Sequence, residues 1–177
     1  MSLEQELKSI IRDVADFPKE GIIFKDLTTV LLYPELTKQV VHALAEAVEE
    51  KPDAIAAIES RGFWFGTLLA QHLNVPFIPL RKKGKLPGAK DEIQYDLEYG
   101  TASIEIHQGH VNPAWNVMVH DDLLATGGTA IAAAKLLERQ GVSIHSFSFL
   151  VNLSFLGAGP IIEKEYPSTP LNSLVNY

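Results

Sequence analysis

Asp121 and Asp122 are adjacent carboxylates that follow the apolar run Val117-Met118-Val119, and five residues beyond Asp122 stands Gly127, within Ala125-Thr126-Gly127-Gly128-Thr129. A core does not accept unpaired carboxylates, so the acids belong at the carboxyl end of a buried strand. Two glycines let the backbone turn its N–H groups inward, and two threonine hydroxyls can donate beside them, which makes an anion cradle. Carboxylates accept hydroxyl protons while amides take a phosphate, so a ligand carrying both groups is expected, and a ribose 5-phosphate fits both halves. Gly-Gly-Thr alone also suits an ordinary strand-to-helix turn; the acid pair ahead of it favours the ligand.

These residues need a frame. From Thr129, Ile131, Ala134 and Leu137 keep helical spacing until Gly141, and Val142 to Val151 then reads as a long strand interrupted by Ser146 and Ser148. In an open parallel sheet such a loop lies beyond the strand ends, where ligands bind and a helix N-terminus adds partial positive charge. The pattern occurs earlier as well. Ala54 to Ile58 is a short buried strand, Glu59-Ser60-Arg61-Gly62-Phe63 follows, and Phe63, Trp64, Phe65, Leu68 and Leu69 carry a helix to His72. Taken by itself this is a helix start with Glu59 and Arg61 solvated. A third strand, Val75 to Leu80, contains Pro76 and Pro79, which points to a place near a sheet edge. Arg81-Lys82-Lys83-Gly84-Lys85 leaves it with four positive charges, as a solvated loop or as a lid over a pyrophosphate.

The remaining chain is plainer. Ser2 to Gln5 forms a capping box, and Leu3, Leu7, Ile10, Ile11 and Val14 continue as one helical stripe that Phe17-Pro18 ends. Phe17 to Asp26 mixes turn formers with aliphatics and reads as a covering loop. Pro34 opens a helix with Leu36, Val40, Val41, Leu44 and Val48 on one face, stopped by Lys51-Pro52. Tyr95 to Gly100 and Ala102 to Ile106 alternate in polarity as a hairpin outside the core sheet, with Glu98 facing water. His107 and His110 could share a metal only with a third ligand. Gly157 to Pro160 introduces a short helix, and Leu171 to Val175 an edge strand.

A chain of 177 residues suits one α/β domain. Its 46% hydrophobic and 21% charged content is that of a soluble globular protein. No apolar run reaches membrane-helix length and no signal sequence is evident, so no membrane is expected and the cytoplasm is the simplest address. Zero cysteines exclude disulfides, thiol catalysis and cysteine-ligated zinc, and a net charge of −7 argues against general nucleic-acid binding. A P-loop is excluded, since Gly-Lys-Ser/Thr is absent.

The segment Asp121 to Thr129 resembles the phosphoribosyl-pyrophosphate motif of the type I phosphoribosyltransferases, and its wording is similar to that of the adenine phosphoribosyltransferases. Ser60-Arg61-Gly62-Phe63, Arg81 to Gly88 and Leu97 to Gly100 carry the same likeness. The resemblance implies a doubly wound α/β domain over residues 1–177, with a largely parallel central sheet. Residues 1–33 would supply an N-terminal helix and base-pocket segment, and residues 81–106 a flexible loop and β-ribbon hood. It implies transfer of 5-phosphoribosyl from phosphoribosyl pyrophosphate to adenine, giving AMP and pyrophosphate, with Mg²⁺ bound mainly through substrate and no protein metal site. Asp121, Asp122, Ala125, Thr126, Gly127, Gly128 and Thr129 would bind the phosphoribosyl group. Glu59, Ser60, Arg61, Arg81 and Lys85 would meet the pyrophosphate, with a cis peptide before Ser60. Ile23, Phe24, Arg61 and Leu153 would hold adenine, the backbones of Ile22 to Phe24 and of Arg61 offering acceptors to its amino group. Glu98 would manage the purine proton beside Tyr99. A homodimer is implied too, with Arg81 reaching the neighbour's pyrophosphate. Lys25 stands where the family usually has arginine, Glu20 where proline is common and Asn152 where glutamate is common. The rivals are an enzyme of the same fold using a 6-oxopurine or orotate, and a non-catalytic sensor of phosphoribosyl pyrophosphate.

Overall fold

Buried apolar strands alternating with amphipathic helices build the sheet of this protein in the computed structural model, which describes residues 1–96 and 100–177. The expectations for Glu98 and Tyr99 lie outside the described residues. In chain order the elements are α1 (Leu3–Ile10), β1 (Arg12–Ala15), β2 (Ile23–Asp26), a 3-10 turn (Leu27–Leu32), α2 (Pro34–Glu46), β3 (Ala54–Ile58), α3 (Gly62–Leu73), β4 (Phe77–Lys82), β5 (Lys90–Asp96), β6 (Thr101–His107), β7 (Asn116–Leu124), α4 (Gly128–Glu138), β8 (Ser143–Asn152), α5 (Ala158–Glu165) and β9 (Leu171–Asn176).

Seven strands form the main sheet in the order β5-β6-β4-β3-β7-β8-β9. From β4 to β9 neighbouring strands run parallel, while β6 and β5 add an antiparallel edge. Strand alternation divides the core between two faces. Val117 and Val119 pack with the alanines of α4, whereas Met118 packs on the other face with Phe65 and Leu69 of α3 and with α2. Helices on both faces make the doubly wound architecture. No helix of the described residues is long and apolar enough to cross a membrane.

Six expectations are corrected. The N-terminal helix stops at Ile10, although its capping box between Ser2 and Gln5 is present. Ile11 is already extended, and Arg12–Ala15 pairs antiparallel with Ile23–Asp26, so the last four residues of the expected covering loop are strand. Ion pairs from Arg12 to Asp26 (2.6 Å) and Lys25 to Asp13 (2.7 Å) lock that ribbon. Helix α2 ends at Glu46, ahead of Lys51-Pro52. Strand β4 is interior by order, but its pairing with β6 begins only at Arg81 and Lys82; Phe77 to Leu80 lack that outer ladder, which is how Pro79 is tolerated. The hairpin β5–β6 belongs to the main sheet, with Ile104 and Ile106 buried in its core. Finally, β7 does not stop before the acids but runs through Asp121 and Asp122 to Leu124.

Candidate active site

The carboxyl ends of β3 and β7 lie side by side, paired in parallel from Ala54 and Val117 to Ala57 and His120. Their following loops therefore open on the same rim. Asp122 is 2% exposed, and its Oδ2 lies 2.9 Å from the Arg61 Nε, so the burial of the acid is answered by a guanidinium. Asp121 Oδ1 accepts the Asp122 N–H at 2.9 Å. Burial raises both carboxyls above the ordinary carboxylate range; adjacent Asp122 pushes Asp121 up further, and Arg61 pulls Asp122 back. Gly62 is required here by space: a Cβ on it would stand 2.8 Å from Asp121 Oδ1 and 3.2 Å from the Asp121 Cα.

Beyond β7 the chain turns at Gly127, which has φ 85° and caps α4 with no side-chain hydrogen bond. The first amides of α4 thus have neither an intrahelical acceptor nor a side-chain cap. Beside them lies a hollow of about 70 Å³ lined by Asp121, Ala125, Thr126, Gly127 and Thr129, with Leu124, Ala130 and Phe149 on its apolar side. Small size, amide donors and a helix N-terminus are the requirements of a phosphate seat.

Two larger cavities adjoin this hollow. One, of about 690 Å³, gathers the charged groups and takes in Glu59, Ser60, Arg61, Lys82, Asp121, Asp122 and Thr129, with Phe24 on its wall. The other, of about 880 Å³, is mostly apolar and is lined by Ile22, Ile23, Lys25, Leu153, Phe155, Leu156 and Tyr177, with Ala125, Thr126 and Thr129 at its inner end. Thr129 lines both. Alternation along β2 sends Ile23 and Lys25 to the apolar cavity and Phe24 to the charged one, where the Arg61 guanidinium carbon is 5.0 Å from the Phe24 ring centre. The four residues expected around a base are thus divided between two adjoining cavities.

Around the basic loop the structure is more specific than the sequence. Arg81 is held by Glu59 of its own chain, Nη2 to Oε1 at 3.0 Å and Nε to Oε2 at 3.3 Å, and the Lys82 N–H adds a bond of 2.8 Å. The Arg81 guanidinium holds the Glu59 carboxyl below its ordinary range. Lys85 is exposed and does not line either cavity. Lys82 and Lys83 line the charged cavity, two members of the basic run that the sequence offers as a lid over a pyrophosphate. The peptide between Glu59 and Ser60 is cis. Lys25 is occupied by Asp13 and lies 3.8 Å from the Tyr177 ring centre. Asn152 donates to Asn176 Oδ1 at 3.1 Å. Among the described residues no three His, Asp or Glu side chains gather as a metal site.

His120, next to Asp121, is fully buried with Nδ1 3.2 Å from Ser148 Oγ, and burial brings its imidazole from 6.5 down to about 4. The unfolded chain therefore takes up a proton below pH 6.5 that the folded chain refuses until about pH 4, so this group's contribution is full above 6.5 and is lost as pH falls. At about pH 5 the loss is about 2 kcal/mol, or roughly 4–8 °C in Tm. Thermal melts should show His120→Gln losing less stability than wild type between pH 6.5 and about 5. Equal slopes would exclude a buried neutral imidazole.

A parallel sheet with an acid pair, an uncapped glycine turn and a second cationic loop on one rim defines a phosphoribosyl-binding domain. Comparison agrees: the family model of the phosphoribosyl transferase domain matches residues 28–154. The chain is 48% identical to the adenine phosphoribosyltransferase of Cytophaga hutchinsonii, over 99% of this chain and 96% of that protein. Its structure is similar to the crystal structure of adenine phosphoribosyltransferase from Thermoanaerobacter pseudethanolicus, with a TM-score of 0.92 and 45% identity over 99% of this chain and 100% of that one. It is also similar to the Saccharomyces cerevisiae enzyme complexed with adenine and an imino-altritol bisphosphate, with a TM-score of 0.87 and 37% identity over 97% of each chain. The chain belongs to the phosphoribosyltransferase family and, within it, to the adenine phosphoribosyltransferases.

Proposed function

We propose that the chain transfers the 5-phosphoribosyl group of phosphoribosyl pyrophosphate to adenine, releasing pyrophosphate and AMP. One observation carries this reading: Thr129 stands where a cavity of carboxylates and cations meets an apolar one beside an uncapped helix N-terminus. A sugar phosphate and a flat base joined at one bond suit that division. In the reaction the bond from C1′ to the pyrophosphate oxygen breaks, the purine N9 bonds to C1′, and the N9 proton leaves. Amides from Thr126 to Thr129 bind the 5-phosphate, Asp121 and Asp122 accept ribose hydroxyls, and Ser60, Arg61 and Lys82 face the departing pyrophosphate. Arg61 also pairs with Asp122 and lies against the Phe24 ring on the wall of the charged cavity.

Mg²⁺ suits this donor set as an ion carried by the pyrophosphate. Glu59 is engaged by Arg81 and Asp122 by Arg61, so the ion would be held mainly by substrate oxygens and water. Charge gathering on the leaving oxygens would be neutralised by such an ion when bound. The reading extends to a homodimer in the cytoplasm, supported by family likeness. For Arg81 to reach a partner's pyrophosphate it would have to leave Glu59, and a monomer by light scattering would remove that role.

The test is AMP formation from adenine and phosphoribosyl pyrophosphate by the purified chain. Glu98 is proposed as the proton partner of the purine, so Glu98→Gln should lower kcat by roughly 10²–10⁴-fold with little change in substrate binding. Turnover at the wild-type rate would leave Glu98 a bystander, and no AMP from the wild type would defeat the function.

A further inference from the structure

The apolar cavity has two walls that come from distant parts of the chain. Ile23 and Lys25 on β2 form one, and Leu153, after β8, forms the other. Tyr177 touches both. Its N–H donates to the Asn152 carbonyl at 3.0 Å, and its own carbonyl accepts the Ser154 N–H at 2.9 Å together with the Ser154 hydroxyl, so its main chain brackets Leu153. On the opposite side its ring lies 3.8 Å under the Lys25 ammonium. That ammonium is also fixed at 2.7 Å by Asp13, directly across the β1–β2 ladder, and its side chain is only 12% exposed. A cation held at this distance over a ring and largely screened from water is a firm tie.

We propose that Tyr177 is a positioning residue for the purine, joining the β2 wall of the base slot to the Leu153 wall and so setting the width between them. The inference rests on the adenine-transferring function above. Without the ring, Lys25 keeps Asp13 but β2 loses its hold on the far wall, and the slot widens where the base lies flat. Phosphate and ribose contacts sit at the other end of the site and do not depend on this tie.

Steady-state kinetics with adenine and phosphoribosyl pyrophosphate varied in turn test it. Tyr177→Ala should raise the KM for adenine by roughly tenfold, the worth of a screened cation–ring contact, and leave the KM for phosphoribosyl pyrophosphate unchanged. Tyr177→Phe keeps the ring and should behave as wild type. An unchanged adenine KM in folded Tyr177→Ala overturns the inference, as does a parallel rise in both KM values, which would indicate a role in the fold alone. Should Tyr177→Ala not fold, Lys25→Met cuts the same tie, and an unchanged adenine KM there overturns it equally. A wild-type chain that makes no AMP removes the enzymatic reading and this inference together; the variant results remove this inference alone.

Discussion

Replacing Asp121 and Asp122 together by alanine should weaken phosphoribosyl-pyrophosphate binding by roughly 10²–10⁴-fold, because each hydrogen bond to a charged group is worth about 1.5–3 kcal/mol and two are removed. The fold is expected to survive. Burial raises the Asp121 carboxyl well above its ordinary range. Its ionised form is therefore a cost to the folded state, absent at a pH below the unfolded pKa and growing as pH rises toward the folded one. Losing Asp121 relieves that cost at neutral pH. Asp122 differs, since its loss strands Arg61, but the Arg61 side chain is 30% exposed and water can take over the guanidinium. Calorimetry on the folded double variant decides the matter: wild-type affinity would exclude the acids from the ribose site.

Why both acids were legible in sequence while their surroundings were only partly so follows from what each signal depends on. A parallel strand buried on both faces must be continuously apolar, so Ala54 to Ile58 and Val117 to Val119 were evident, and polar residues at their ends had to be the rim. The uncapped turn at Gly127 was equally local. By contrast, the strand assignment of Arg12 to Ala15 depends on its partner Ile23 to Asp26, across a turn whose own residues favour neither state. Prolines in β4 argued for an edge, and the argument was right about the missing ladder at Phe77 to Leu80 though wrong about strand order. Asp122 looked like an acid a core would reject; only the fold reveals Arg61 at 2.9 Å, inside the strand rather than beyond it. The contact of Tyr177 with Leu153 had no local signal at all, because it needs β9 laid parallel to β8 from Phe147 and Leu171 onward.

Hypoxanthine should be turned over at a small fraction of the adenine rate, and this is the widest separation expected of the protein. The two bases differ at C6, where adenine carries an amino donor and hypoxanthine a carbonyl acceptor. An oxopurine site needs a donor there, in that branch of the family a lysine on the strand after the phosphate-loop helix. Val142 to Phe155 contains no lysine. Lys25 is the cation on the wall of the apolar cavity, but its ammonium is engaged by Asp13 at 2.7 Å and by the Tyr177 ring. Besides Lys25 the cavity offers the hydroxyls of Thr126, Thr129 and Tyr177 and the backbone of β2, and we assign that backbone to C6. Strand β2 pairs with β1 along one edge, and among the described residues its other edge has no partner strand, so we take the acceptor for the amino group from that edge. An O6 set against a carbonyl would be left buried and unpaired, and a polar mismatch of that kind can cost up to roughly 10⁴–10⁵ in kcat/KM. Side-by-side measurement of kcat/KM for adenine, hypoxanthine and guanine is the check. Comparable values for adenine and hypoxanthine would overturn adenine selectivity yet leave phosphoribosyl transfer standing, since the acid pair and the Gly127 turn do not touch the base.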